Sequence, residues 1–547
     1  MDKSRGLWTS GRRAVVVGVL TAVILILTTG NIGLTWDEPS YIAASESYNG
    51  WFHRLVFGPH GVLNSTVIET YWTTGSEHPP FDKEISGLVW LAARHLMDDL
   101  TAHRLANILL VSIAVALLYH LVRDELGEMA GIATVAALLL MPRFFFHAHL
   151  AALDVPAASL MVIVTCVFWR TKESARFRYT ILLGAVTGLA FATKINAVII
   201  LPTLLLWTLL FRRRLYLFAR LALAVVVGAA VFVVIWPWLY YDTLHRFTAF
   251  ITFFTVSHEP IPQYFLHRTV LHPSWQFPLV MILAVVPLGT TILYCLGILR
   301  AFLRRRDRAF CALLVLNALV PLIVFMIPPS MIFDDERLLM PAFPFLAALA
   351  GAGFAWLTQL LRVLLQRARV PAAAALLSGA AAVLVVAFPL SRMIIYSPHL
   401  LSYYSETVGG LPGAVKLGLE TTYWSESYRE AIDFVNANAK AGDSVWVEPG
   451  TYDILVYYQL HGVLRSDVTI AITYDTNPPT VFGTSVPFPV VAVPYSQANF
   501  VIVQYHQSYL YDSNGRPMEV AQWMAARTPA FRVQREGVPI LDVYTNP

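Results

Sequence analysis

Two adjacent carboxylates, Asp37 and Glu38, stand directly after the first long apolar run, within Thr35-Trp36-Asp37-Glu38-Pro39-Ser40-Tyr41. A carboxylate fixed at the mouth of a loop can act as a general base toward an attacking hydroxyl. The polar stretch they open, residues 34–103, carries Glu77-His78-Pro79-Pro80-Phe81-Asp82-Lys83-Glu84, which adds an imidazole and an amine. Farther along come Arg143, His147, His149 and Asp154, then His258, Glu259, Tyr264, His267 and His272, and then Asp334-Asp335-Glu336-Arg337. Lys83 or Arg337 could stabilise a charged leaving group by a charge-assisted hydrogen bond. Residues Trp36, Trp51, Phe52, Tyr71 and Trp72 could stack on a sugar or sit at headgroup level.

Each of these has a purely structural alternative. Asp37 before Glu38-Pro39 has the pattern of a helix N-cap with an acidic first turn, and Asp154 before Val155-Pro156 has it too. Lys83 could simply extend its amine to the membrane interface. His147 and His149, two residues apart, are weak metal ligands without a third partner, so a divalent metal is a candidate cofactor and no more. Asn64-Ser65-Thr66 has the pattern of a glycosylation sequon. The three cysteines, Cys166, Cys295 and Cys311, lie in apolar runs without metal-ligand spacing.

What must position these groups is a membrane fold. The 547 residues are 57% hydrophobic and 14% charged, against about 25% charged in an ordinary soluble chain. Runs long enough for a bilayer core are predicted as helices at about 14–33, 104–122, 129–145, 154–170, 179–194, 196–211, 221–237, 276–299, 309–327, 338–361 and 370–390. Pro202, Pro287 and Pro344 are expected to kink their spans rather than end them. The start, with Lys3, Arg5, Arg12 and Arg13, resembles a signal peptide, but no small-residue cleavage site follows, so residues 14–33 read as a first span.

The basic clusters at 170–178, 212–220, 300–308 and 362–369 fall on the same side as the N-terminus. The positive-inside rule makes that side cytoplasmic, and eleven spans then leave the C-terminus outside. The net charge of +4 follows from this topology and calls for no nucleic-acid partner. After about residue 390 the sequence turns polar. An amphipathic helix at 427–440, strands at 443–448, 498–504 and 538–544 and a helix at 517–526 give a small α/β domain without a phosphate loop or nucleophile motif. The expected fold is therefore an all-α polytopic membrane domain, residues 1–390, with a large first outer loop, followed by an extracytoplasmic α/β domain, residues 391–547. The expected location is the cell (inner) membrane.

In order, Asp37-Glu38, His78-Pro79-Pro80 with Lys83, Gly188-Leu-Ala-Phe-Ala-Thr-Lys194, Trp236-Pro237-Trp238-Leu239 and Glu336-Arg337-Leu-Leu-Met-Pro341 make the chain resemble the polyprenyl-phosphate-sugar glycosyltransferases. The protein O-mannosyltransferase and lipid A aminoarabinose transferase branch of the glycosyltransferase C superfamily is the nearest match. The resemblance spans most of residues 14–430, including Tyr403-Tyr404, Gly409-Gly410 and Tyr423-Trp424. It implies transfer of a sugar from a polyprenyl-phosphate donor to a protein, glycolipid or polysaccharide acceptor. By position it implies Asp37, Glu38 and Asp154 as catalytic acids, Lys83 and Arg337 as phosphate contacts, and His78 and Trp36 as further binding residues. The acidic run before Arg337 departs from what a phosphate contact needs. A transporter or flippase of a lipid-linked sugar is the competing expectation; it calls for internal repeats and discontinuous helices, which the sequence does not display.

Overall fold

The computed structural model describes residues 3–58, 61–257, 260–328, 330, 332–367, 371–473 and 490–546. His258, Glu259 and Arg369 lie outside the described residues. A helix overlaps each of the eleven expected spans. Among the described residues seven helices are long and apolar enough to cross a membrane, or eight if one bent pair counts as a single span, and three apolar helices are shorter. The chain is a multi-pass membrane protein, but helix length alone does not establish a count of eleven.

The central element is the helix Phe343–Arg367, packed against Glu128–Leu139 and Leu288–Leu303. Its Ala- and Gly-rich face lets backbones meet, as lipid-embedded helices require: a Cβ on Gly353 would lie 2.0 Å from the Leu293 carbonyl, and one on Gly297 2.0 Å from that of Leu349. The peripheral helix Leu215–Val234 instead leaves Val226 and Val234 exposed, the outward apolar face expected of a helix meeting lipid.

The prolines behave differently from one another. Pro202 and Pro344 sit in the first turns of their helices, where a missing N–H costs little. At Pro287 the expected kink is a full break: Phe277–Val285 and Leu288–Leu303 meet at 120°. Val286 takes an extended conformation there, as a residue before proline prefers.

The first loop folds into helices Glu38–Phe57, Ser65–Trp72 and Phe81–Ala93. Asn64 caps the second by accepting the Thr66 N–H at 2.9 Å. Tyr48 and Trp72 stack at 4.3 Å with Trp51 edge-on, so Trp51 and Trp72 form an internal aromatic core and do not lie at the surface. A hairpin follows much later, β1 (Gln263–Phe265) with β2 (Arg268–Val270).

The C-terminal domain has a six-stranded sheet of β3 (Ser444–Glu448), β4 (Thr469–Ile472), β5 (Val490–Ala492), β6 (Phe500–Gln504), β7 (Phe531–Arg535) and β8 (Val538–Thr545), in the order β5-β4-β3-β6-β8-β7. Strands β5, β4, β3 and β6 are parallel, and β8 and β7 continue antiparallel. Helices Tyr428–Asn438 and Tyr452–Leu460 cover it. Leu34 and Ile42 of the first loop enter the same core as Tyr428, Val445 and Leu541. Gly33 makes this docking possible, because a Cβ there would lie 2.0 Å from the Glu426 carbonyl oxygen.

Candidate active site

Where the first loop, the membrane helices and the C-terminal domain meet there is a cavity of about 480 Å³. Its polar wall contains Asp37, Tyr41, Glu77, His78, Lys194 and Arg337. Phe254, Ile261, Phe325, Phe333 and Leu338 form an apolar wall, and Asp453 reaches in from the C-terminal domain.

Arg337 is the hub. Its Nε donates to Asp154 Oδ2 at 2.9 Å, one terminal nitrogen to Asp334 at 2.7 Å, and the other to Asp37 Oδ2. Trp424 lies over its guanidinium at 4.3 Å. Lys194 Nζ donates to the other oxygen of Asp154 at 2.5 Å, leaving two of its three donors for a ligand. Burial raises the Asp334 carboxyl to about 6 despite Arg337 beside it. Burial also raises Asp453 to about 6, with the Asp37 charge adding to the effect. The backbone is strained where it presents these groups: Asp334, Asp335, Trp424 and Ser425 all have φ between 50° and 70°, a conformation that costs non-glycine residues energy and concentrates at working sites.

Asp37 occupies the N-cap position of the helix Glu38–Phe57, yet its side chain makes no capping hydrogen bond. Both of its contacts, from Arg337 and from the Tyr41 hydroxyl at 3.4 Å, go to Oδ2. Oδ1 has no hydrogen-bond partner among the described residues, and Asp37 lines the cavity. Asp154 does not cap its helix either; it is buried between the two cations.

Four residues singled out from the sequence sit elsewhere. Glu38 is fully buried and accepts from Arg104 twice at 2.7 Å, from the Thr35 backbone and hydroxyl, and from the Ala151 N–H. With its carboxyl held below the ordinary value against burial by Arg104, it fixes the strand of chain that presents Asp37 and does not line the cavity. Lys83 does not line it either: its amine donates to the carbonyls of Gly75 at 2.5 Å and His78 at 2.8 Å. His147 and His149 do not converge on an ion. His149 has one ring nitrogen on the Phe145 carbonyl and the other on Thr28, whereas His147 contacts the Tyr423 hydroxyl at 2.9 Å. Burial lowers His147 to about 3.

Trp36 and His78 do line the cavity. His78 packs edge-on against Tyr41, and its Nδ1 is buried without a partner among the described residues. The acidic run before Arg337 divides its charge: Asp335 and Glu336 pair with Arg143 at 3.0 and 2.5 Å, so only Asp334 turns to Arg337. Burial, with Asp335 adjacent, raises Glu336 to about 7. The sequence reading missed Lys194 and Asp453 as site residues. Lys194 carried a signal, a lone amine ending the Gly188–Lys194 motif; Asp453 carried none.

A membrane-embedded helical body thus holds carboxylates and two cations around a half-apolar cavity that the small sheet domain roofs. Residues 78–241 match the sequence model of the dolichyl-phosphate-mannose-protein mannosyltransferase family. Over 97% of both chains the fold matches ArnT from Cupriavidus metallidurans, a structure bound to undecaprenyl phosphate, at 18% identity and a TM-score of 0.52. The archaeal oligosaccharyltransferase AglB from Archaeoglobus fulgidus, in complex with an inhibitory peptide and a dolichol-phosphate, aligns over 90% of this chain and 69% of its own at 12% identity and a TM-score of 0.49. No curated protein matches significantly in sequence. The family match covers under a third of the chain, and the likeness to ArnT is one of fold, a polytopic helical body with a small C-terminal sheet domain.

Proposed function

We propose that the chain transfers a sugar from a polyprenyl-phosphate donor to an acceptor hydroxyl on the extracytoplasmic side, carried by a protein, a glycolipid or a polysaccharide. The observation that carries the reading is Asp37: one oxygen is clamped by Arg337 and Tyr41, and the other is left to the cavity. In the proposed step the acceptor oxygen attacks the anomeric carbon and its proton passes to Asp37. The bond from that carbon to the phosphate oxygen breaks, and the lipid phosphate leaves with the electron pair. Lys194 and Arg337 bind that phosphate, and the wall of Phe254, Ile261, Phe325 and Phe333 accommodates the first isoprenoid units. The undecaprenyl phosphate in the ArnT structure supports a donor of this class.

Asp154 acts by position, holding both cations at one point. The acceptor enters from the C-terminal domain, where Asp453 lines the cavity and Trp36 meets Tyr509 at 5.5 Å. Tyr509 and Tyr452 also line a second cavity of about 870 Å³ in that domain.

The flippase reading gains nothing from the broken helix pair found among the described residues, because none of residues 277–303 lines the cavity. Membranes containing the chain, given a panel of radiolabelled polyprenyl-phosphate sugars and an acceptor extract, should release free polyprenyl phosphate and label the acceptor. Movement of the intact donor across the bilayer without phosphate release would favour the flippase.

A further inference from the structure

We propose a divalent-cation site of zinc class, separate from the cavity, formed by Glu46, Asp99 and His103 and closed by His461, which fastens the C-terminal domain to the first loop. One ligand atom from each of Glu46, Asp99 and His103 lies within 4.8 Å of the others. His103 Nε2 is 3.6 Å from Glu46 Oε1 and 3.9 Å from Asp99 Oδ2. These separations are too long for hydrogen bonds. They are close to the roughly 3.3–3.6 Å between neighbouring ligands of a tetrahedral ion whose bonds are about 2.0–2.2 Å.

The independent observation is His103 itself. Its ring is fully buried, stacked on Trp90 at 4.9 Å and 14°, and Nε2 has no hydrogen-bond partner among the described residues. Its tautomer follows from Ser45. The Ser45 hydroxyl donates to the Ile42 carbonyl at 2.7 Å, so it meets His103 Nδ1, 3.3 Å away, as an acceptor. Nδ1 therefore carries a proton, and in the neutral ring Nε2 presents a lone pair toward two carboxylates. With the ring neutral, three electron-rich atoms face one point, an arrangement that a cation between them would relieve.

The surroundings are those of a metal site. Trp90 Nε1 donates to Asp99 Oδ1 at 2.8 Å and the Tyr457 hydroxyl to Asp99 Oδ2 at 2.7 Å, the outer-shell bonds that orient a ligating carboxylate. His461 Nε2 stands 3.6 Å from the same Asp99 oxygen, its ring against Tyr457 at 4.2 Å. Glu46 and His461 are partly exposed, which gives an ion a way in. Mixed imidazole and carboxylate donors suit zinc better than magnesium or calcium, which favour all-oxygen shells. The ligands come from the helix that Asp37 precedes, from the start of the helix Asp99–Leu126, and from the end of Tyr452–Leu460 in the C-terminal domain. One ion would therefore tie the C-terminal domain to the first loop and to the start of the helix that follows it.

The test uses the tag-free full-length chain in detergent, stripped with chelator and titrated with zinc or magnesium, reading bound metal and Tm. The wild type should take up zinc with a rise in Tm, and magnesium should leave Tm unchanged. Glu46→Gln and His461→Gln, both at partly exposed positions, should match the metal-free wild-type Tm but bind zinc at least about 10-fold more weakly. A wild type that takes up no zinc, or variants that bind it as tightly as the wild type, would overturn the proposal. Because no sugar transfer is measured, this result is independent of the proposed reaction.

Discussion

Replacing Lys194 separates a phosphate site built on this residue from one built on Lys83. Lys194 lines the cavity and uses one donor on Asp154; Lys83 is spent on two carbonyls of the turn at 75–78. Lys194→Gln keeps an N–H for Asp154 but removes the charge offered to a phosphate. A hydrogen bond to a charged group contributes about 1.5–3 kcal/mol, which corresponds to roughly 10- to 150-fold in donor Kd. The assay is binding of a polyprenyl-phosphate sugar to purified protein in detergent, with Tm measured in parallel. Lys194→Gln should lose affinity in that range. Lys83→Gln should lower Tm, because a shorter, neutral side chain weakens the charge-assisted contacts to the Gly75 and His78 carbonyls, while its folded fraction binds donor normally. Unchanged donor affinity in Lys194→Gln, with a loss in Lys83→Gln at unchanged Tm, would refute the assignment.

Glu84, buried next to Lys83, has its carboxyl raised to about 8 by burial. Because the native state binds a proton that the unfolded state has released, stability should fall as pH rises from about 4.5 to about 8. Glu84→Gln should remove that slope and raise Tm at pH 7 by the equivalent of roughly 1–3 kcal/mol; a pH series of Tm for both proteins checks the sign. Glu38→Ala leaves Arg104 buried and unpaired and should cost about 3–5 kcal/mol, seen as a large drop in Tm in detergent, not as a pure loss of turnover. For topology, a reporter fused at residue 547 should be active only outside the cytoplasm; activity inside would place the cavity on the wrong face.

The membrane body was legible because apolar runs need no tertiary knowledge, and Asp37 and Arg337 because each stands at the edge of such a run. Lys194 falls at the end of the expected span 179–194, and hydropathy does not reveal that the helix stops at Phe191 and resumes at Ile195 as a 3-10 turn. The placement of Lys83 was not legible for a related reason: its carbonyl partners at Gly75 and His78 come from a turn that residue spacing does not predict. The pairing of Glu38 was hidden because Arg104, which pairs with it, lies 66 residues along the chain. In the tail, strands β4 and β5 are too short to show a period, and Asp453 enters the site only because the whole domain docks on Leu34 and Ile42.

The central claim, that Asp37 accepts the proton from the acceptor, is tested most directly by sugar transfer in proteoliposomes with Asp37→Asn. Loss of a general base costs about 10²–10⁴-fold in rate. Asn preserves shape, and Arg337 keeps Asp154 and Asp334 as partners. Asp37→Asn should therefore insert with near wild-type Tm, bind donor, and lose transfer by at least about 100-fold. Transfer within a few-fold of the wild type would contradict the account and move the base to Asp453 or Glu77, the other carboxylates that line the cavity.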